Sequence, residues 1–85
     1  MAIKRIQLYG ADWCLKTAQL RNYLKSEGVL FDDFNVERDI DAASRVRRLY
    51  HGNLKFPTLS FDDEFLENPN IAELEGFLEK HKLKD

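Results

Sequence analysis

Across residues 3–9 the apolar positions fall at 3, 6, 8 and 9, with Gln7 set between Ile6 and Leu8, and the run stops at Gly10. Alternation that ends on a turn residue predicts a strand. The period then changes. Thr17, Leu20 and Leu24, joined by Tyr23, recur at three and four residues and predict one buried helix face. Gly28 closes that helix, since it takes the left-handed conformation without a side-chain clash. Leu30, Phe34 and Val36 share one parity and predict a strand over 30–36, with Asp32 breaking the alternation. Asp39 or Asp41 can cap the helix that follows. Its stripe is Ala42, Ala43, Val46, Leu49 and Tyr50, with Arg45, Arg47 and Arg48 largely outside it and Gly52-Asn53 at its end. Positions 58–61 and 64–66 predict a hairpin across Asp62-Asp63, entered through Phe56-Pro57. Asn68-Pro69 predicts a helix start with Pro69 at the first helical position, where proline sacrifices no bond. Ile71, Leu74, Phe77 and Leu78 supply its buried face.

The order is β-α-β-α-β-β-α. A strand–helix–strand opening with a short connection implies a parallel pair joined by a right-handed crossover. The hairpin then adds antiparallel strands to the same sheet. The expected architecture is α/β, a four-stranded mixed sheet with three helices on its faces, in a single domain over residues 1–85.

Composition narrows the function. Thirteen basic residues against fifteen acidic ones leave a net charge of −2, which gives no reason to expect nucleic acid or an anionic membrane as partner. No apolar run approaches a transmembrane span, and the N-terminus passes into structure without the pattern of a signal peptide. One cysteine, Cys14, cannot form an internal disulfide. A free thiol fits a reducing cytoplasm. Cys14, His51 and His81 are too few and too scattered for a zinc site, so no metal is expected.

Cys14 falls at the strand-to-helix junction, in the first turn of the first helix. Unpaired amides and the helix dipole there favour a thiolate, so its pKa is expected below the ordinary ~8.5. Lys16 can add a little positive charge nearby, unless its side chain points away. A small buried hydrophobe is the common alternative for a free cysteine; the position and the polar neighbours Asp12 and Lys16 favour the reactive reading.

The strand ending in Tyr9, the Trp13-Cys14 pair opening a helix and the Phe56-Pro57-Thr58 step before a hairpin resemble the glutaredoxin branch of the thioredoxin fold. The likeness spans essentially the whole chain, and the tail "FLENPNIAELEGFL" is similar to that of the mycoredoxins, glutaredoxin-like proteins of actinobacteria. The resemblance implies a thioredoxin-like three-layer α/β/α sandwich. It implies a cis Pro57 facing Cys14, and a Phe56 backbone that pairs with a bound thiol peptide like an added strand. Phe56, Pro57, Thr58, Asn68 and Asn70 are then the expected substrate-binding residues, with Trp13, Lys16 and Thr17 supporting Cys14.

The departures are as informative. The dithiol members read Cys-x-x-Cys, whereas this chain reads Cys14-Leu15-Lys16-Thr17, so only a monothiol route remains. The Thr17 hydroxyl can hydrogen-bond the thiolate, or its methyl can simply fill the helix interior. Ala11 stands where glutaredoxins place a glutathione-gripping lysine. Glu67, Asn68, Pro69 and Asn70 replace their Gly-Gly stretch and acidic pair, with Pro69 removing one amide donor. Arg45, Arg48 and Lys55 are candidates for a carboxylate clamp, or are solvated surface charge.

The expected function is thiol–disulfide oxidoreduction in redox homeostasis, an electron transfer by thiol–disulfide exchange. Glutathione or another small thiol is the co-substrate and thiolated proteins are the partners, with no tightly bound cofactor. The chain is expected to be a cytoplasmic monomer. A thioredoxin-fold binding module, or a protein ligating an iron–sulfur cluster through Cys14, is the alternative. An arsenate-reductase-like reading ranks last, because no set of arginines suits an oxyanion.

Overall fold

β1 (Ile6–Gly10) takes the centre of a sheet because both of its faces are apolar. Ile6 and Leu8 are buried on one side and Tyr9 on the other. It pairs in parallel with β2 (Phe31–Asn35) and antiparallel with β3 (Thr58–Phe61), and β3 pairs antiparallel with β4 (Glu64–Glu67). The strand order is β2-β1-β3-β4. This computed structural model describes residues 5–62 and 64–83. The start of the expected first strand at Ile3 and the hairpin residue Asp63 lie outside the described residues.

Two apolar clusters sandwich the sheet. On one face Leu20 and Leu24 of α1 (Leu15–Ser26) and Leu74, Phe77 and Leu78 of α3 (Ile71–Lys80) close over Ile6, Leu8, Leu59 and Phe61. On the other, Ala42, Ala43 and Val46 of α2 (Ile40–Leu49) pack with Tyr9, Val36 and Tyr50. The three-layer α/β/α sandwich and the element order are those expected. Each fully buried leucine is worth about 2 kcal/mol, so the two clusters supply most of the drive to fold.

Several boundaries differ from the sequence reading. The second strand is shorter than 30–36, and Leu30, which the parity placed inside, is 61% exposed. β2 is an edge strand, and it carries its aspartates through ion pairs: Arg5 Nε lies 3.2 Å from Asp32 and Arg21 Nε 2.5 Å from Asp33. Of the two candidate caps Asp39 is the one used, its side chain accepting from the Ala42 amide at 3.0 Å. α2 stops at Leu49, earlier than Gly52-Asn53, because His51 (φ 55°) and Gly52 (φ 98°) both turn left-handed. Pro69 is not the first helical residue. Asn70 is the N-cap, in a reciprocal capping box with Glu73, and Pro69 is buried just before it. Pro69 therefore removes no amide from the helix start.

Tyr50 closes the α2 side. Its hydroxyl lies 2.9 Å from Thr58 Oγ1, whose own proton goes to the Lys55 carbonyl at 3.0 Å, so the tyrosine is the donor. Tyr50→Phe should lower unfolding free energy by about 1 kcal/mol in a urea titration, since Thr58 keeps a partner. A loss above ~3 kcal/mol would mean that the bond is part of a larger network.

Candidate active site

Gly10 ends β1 on the face that receives α1, and Thr17 packs directly on it. A Cβ at position 10 would lie 2.9 Å from Thr17 Cβ and nearer still to the other two side-chain atoms. The absence of a side chain at Gly10 lets the first turn of α1 settle against the strand. Thr17 is fully buried there.

Cys14 is the N-cap residue of α1, with extended backbone (φ −81°, ψ 114°) and no capping bond from its side chain. It lies one position before the first turn in which the sequence placed it. Its carbonyl accepts from Ala18 at 3.1 Å and starts the helical ladder, while its amide donates to the Ala11 carbonyl at 3.2 Å. Cys14 as a residue is partly exposed and carries no disulfide. The thiol is held below its ordinary pKa, chiefly by the nearby Thr17 hydroxyl. The backbone amides of Thr17 and Lys16 lower it further, and partial burial opposes them. Thr17 Oγ1 is itself buried and has no formed hydrogen-bond partner, so its hydroxyl is free to turn toward a thiolate one helical turn back. Lys16 thus contributes its amide, not the charge of its side chain.

The Phe56–Pro57 peptide is cis, as the resemblance implies. Register fixes where it lies. Thr58 pairs with Tyr9 on one side and Glu67 on the other, so Pro57 sits beside the end of β1 from which the chain runs to Cys14. The Asn68 amide donates to the Pro57 carbonyl at 2.9 Å, with Asn68 in the left-handed region (φ 45°). Trp13 is 69% exposed and meets the Phe56 ring edge-on at 5.7 Å. Trp13, Phe56, Pro57, Thr58 and Asn68 are therefore gathered at one end of the sheet, at the carboxyl ends of β1 and β2, where open α/β sheets bind ligands.

Other expected residues are engaged elsewhere. The Asn70 side chain accepts from the Glu73 amide at 2.7 Å, so its oxygen is committed to the cap. Thr58 is buried and acts through Tyr50 and Lys55. Arg45 stacks over Phe34 at 4.7 Å on the α2 face, and Lys55 pairs with Glu67 at 3.2 Å; neither is a free clamp beside the thiol. Arg48 lines a surface cavity of about 370 Å3 on that same face, and another, of about 620 Å3, runs along the β2–α2 junction. Neither cavity includes Cys14, which stands on an open rim.

Two contributors escaped the sequence reading. Glu37 accepts a 2.8 Å hydrogen bond from the Trp13 indole, and Asp12 pairs with Arg38 at 3.5 Å. Both contacts join the loop before α1 to the loop before α2, and no local spacing relates residues so far apart. Among the described residues no group of three or more His, Cys, Asp or Glu could hold a metal, and no helix is long and apolar enough to cross a membrane.

The glutaredoxin family's sequence profile matches residues 6–66. A glutaredoxin-like protein of Mycobacterium tuberculosis is 28% identical over 81 residues, which is 94% of this chain and 96% of that one. The thioredoxin-like protein BC3987 superposes with a TM-score of 0.78 at 26% identity, covering 87% of this chain and 100% of the other. The glutaredoxin of Archaeoglobus fulgidus, at 17% identity, shares the fold with a TM-score of 0.73 over 91% of this chain and 88% of its own. Family and fold together support a role of the thiol–disulfide oxidoreductase kind. The chain belongs to the glutaredoxin family.

Proposed function

We propose that the chain is a single-domain monothiol oxidoreductase acting on mixed disulfides of a small thiol, glutathione or another low-molecular-weight thiol, in a reducing cytoplasm. The observation that carries this reading is the thiol of Cys14, lowered by the Thr17 hydroxyl and two amides at a helix start, with no second cysteine in the chain.

The chemistry is two successive exchanges. The Cys14 thiolate attacks one sulfur of a disulfide between the small thiol and a protein. A bond forms between Cys14 and the small thiol, the original S–S bond breaks, and the protein leaves as its thiolate. A second small thiol, deprotonated, then attacks the adduct, expels Cys14 as thiolate and departs as a symmetrical disulfide. In sum one free small thiol and the mixed disulfide give the protein thiol and the symmetrical small-thiol disulfide. The proton lost by the small thiol is matched by the one the protein thiolate takes up, and Cys14 is regenerated unchanged. No general base is needed at Cys14, because the nucleophile is already ionised to a larger extent than an ordinary thiol. Thr17 and the two amides hold the charge, while the rim of Trp13, Phe56 and cis Pro57 receives the substrate.

The test joins two measurements. Alkylation of Cys14 by iodoacetamide across pH should show a midpoint below that of the unfolded chain. Turnover of a glutathionylated peptide, with glutathione as the second thiol, should pass through a single adduct on Cys14 visible by mass spectrometry. A midpoint at or above the unfolded one, together with no adduct, would make the chain a thioredoxin-fold binding module.

A further inference from the structure

Trp13 is the only tryptophan in the chain, and it is exposed beside the thiol, where a large ring has no packing reason to stay in one rotamer. It is nevertheless held on two sides. Its ring meets the Phe56 edge at 5.7 Å and 80°, and its Nε1–H donates to Glu37 Oε1 at 2.8 Å. Glu37 is itself anchored, because its amide donates to Asn35 Oδ1 at 2.9 Å. The neighbouring Arg38–Asp12 pair ties the same two loops together a second time.

We propose that Glu37 is a positioning residue: it fixes the Trp13 indole against Phe56, so that the indole forms a standing part of the rim that receives the small thiol. The proposal rests on the oxidoreductase reading of Cys14 for its kinetic consequence, but not for its structural one. A tethered ring loses less freedom when substrate binds, so the tether lowers the cost of binding without touching the sulfur. Glu37 does not figure among the groups that shift the Cys14 thiol. Its loss is therefore expected in KM and not in thiolate reactivity. The working feature is the acceptor oxygen, which glutamine retains and alanine does not.

The experiment compares the parent chain with Glu37→Ala and Glu37→Gln, using a glutathionylated peptide as substrate, acrylamide as quencher of the Trp13 emission, and iodoacetamide as a probe too small to need the Trp13 rim. Alanine should raise KM by about fivefold, the factor carried by one hydrogen bond of ordinary net worth. It should leave kcat and the alkylation rate of Cys14 within about twofold, and should increase acrylamide quenching. Glutamine should restore both KM and quenching. Unchanged quenching in the alanine chain overturns the proposal, as does glutamine that fails to rescue or a change in KM matched by a change in alkylation. Should the parent itself fail to turn over the peptide, the oxidoreductase reading falls. Quenching across the three chains then decides the tether alone.

Discussion

Alanine at position 10 is expected to destabilise the fold by about 2–3 kcal/mol, the usual penalty for overpacking a tight contact. In a domain of this size that lowers the melting temperature by roughly 10–20 °C. The added Cβ would lie 2.9 Å from Thr17 Cβ. Neither partner can easily give way. β1 is bonded on both sides, to β2 and β3, and α1 is held by Leu20 and Leu24 in the core. Thr17→Ala in the same chain removes the two nearer atoms and should recover part of the loss, which a double-mutant cycle would read as positive coupling. A Gly10→Ala chain melting within about 2 °C of the parent would mean that α1 is free to move outward, against the tight packing described.

The second large effect is on the thiol. Thr17→Val keeps the shape that rests on Gly10 and deletes the hydroxyl, so alkylation of Cys14 at pH 7 should slow by roughly fivefold, as one lost hydrogen bond predicts. Stability should follow with a definite sign. The thiol's pKa is depressed by folding, so ionisation contributes nothing below the folded value, where both states are protonated. The contribution grows as pH rises through the folded value and is complete above the unfolded one, ~8.5. The parent should therefore gain stability over the valine chain as pH rises through that window, and lose the gain as pH falls. Parallel stability curves would show that the hydroxyl does not act on the sulfur.

The periodicity of apolar positions was enough to predict the sheet and its three helices, because burial on two faces leaves a strong imprint on Leu, Ile, Val and Phe spacing. Boundaries were less legible where two residues competed for one role. Asp39 and Asp41 are both competent caps, and Pro69 fits a first helical turn as well as the buried approach to Asn70. In the candidate site, the closeness of Cys14 and Thr17 was readable because it is local, three residues apart at the start of one helix. Glu37 was not, since its bond to Trp13 closes a loop of 24 residues and depends on how β2 lies beside β1. Gly10 was legible as punctuation but not as the seat of Thr17, which only the sheet-to-helix distance reveals.

The two aspartates of β2 bear on how copies of the chain meet. Asp32 and Asp33 sit on one free edge of the sheet, and Glu64 and Glu67 are in the strand that forms the other. A second copy adding its own β2 alongside would set aspartate near aspartate, and would have to draw both away from Arg5 and Arg21 or bury the pairs. The aspartate that broke the alternation of the second strand in the sequence, with its neighbour Asp33, thus gives this sheet an edge that resists extension by its own kind.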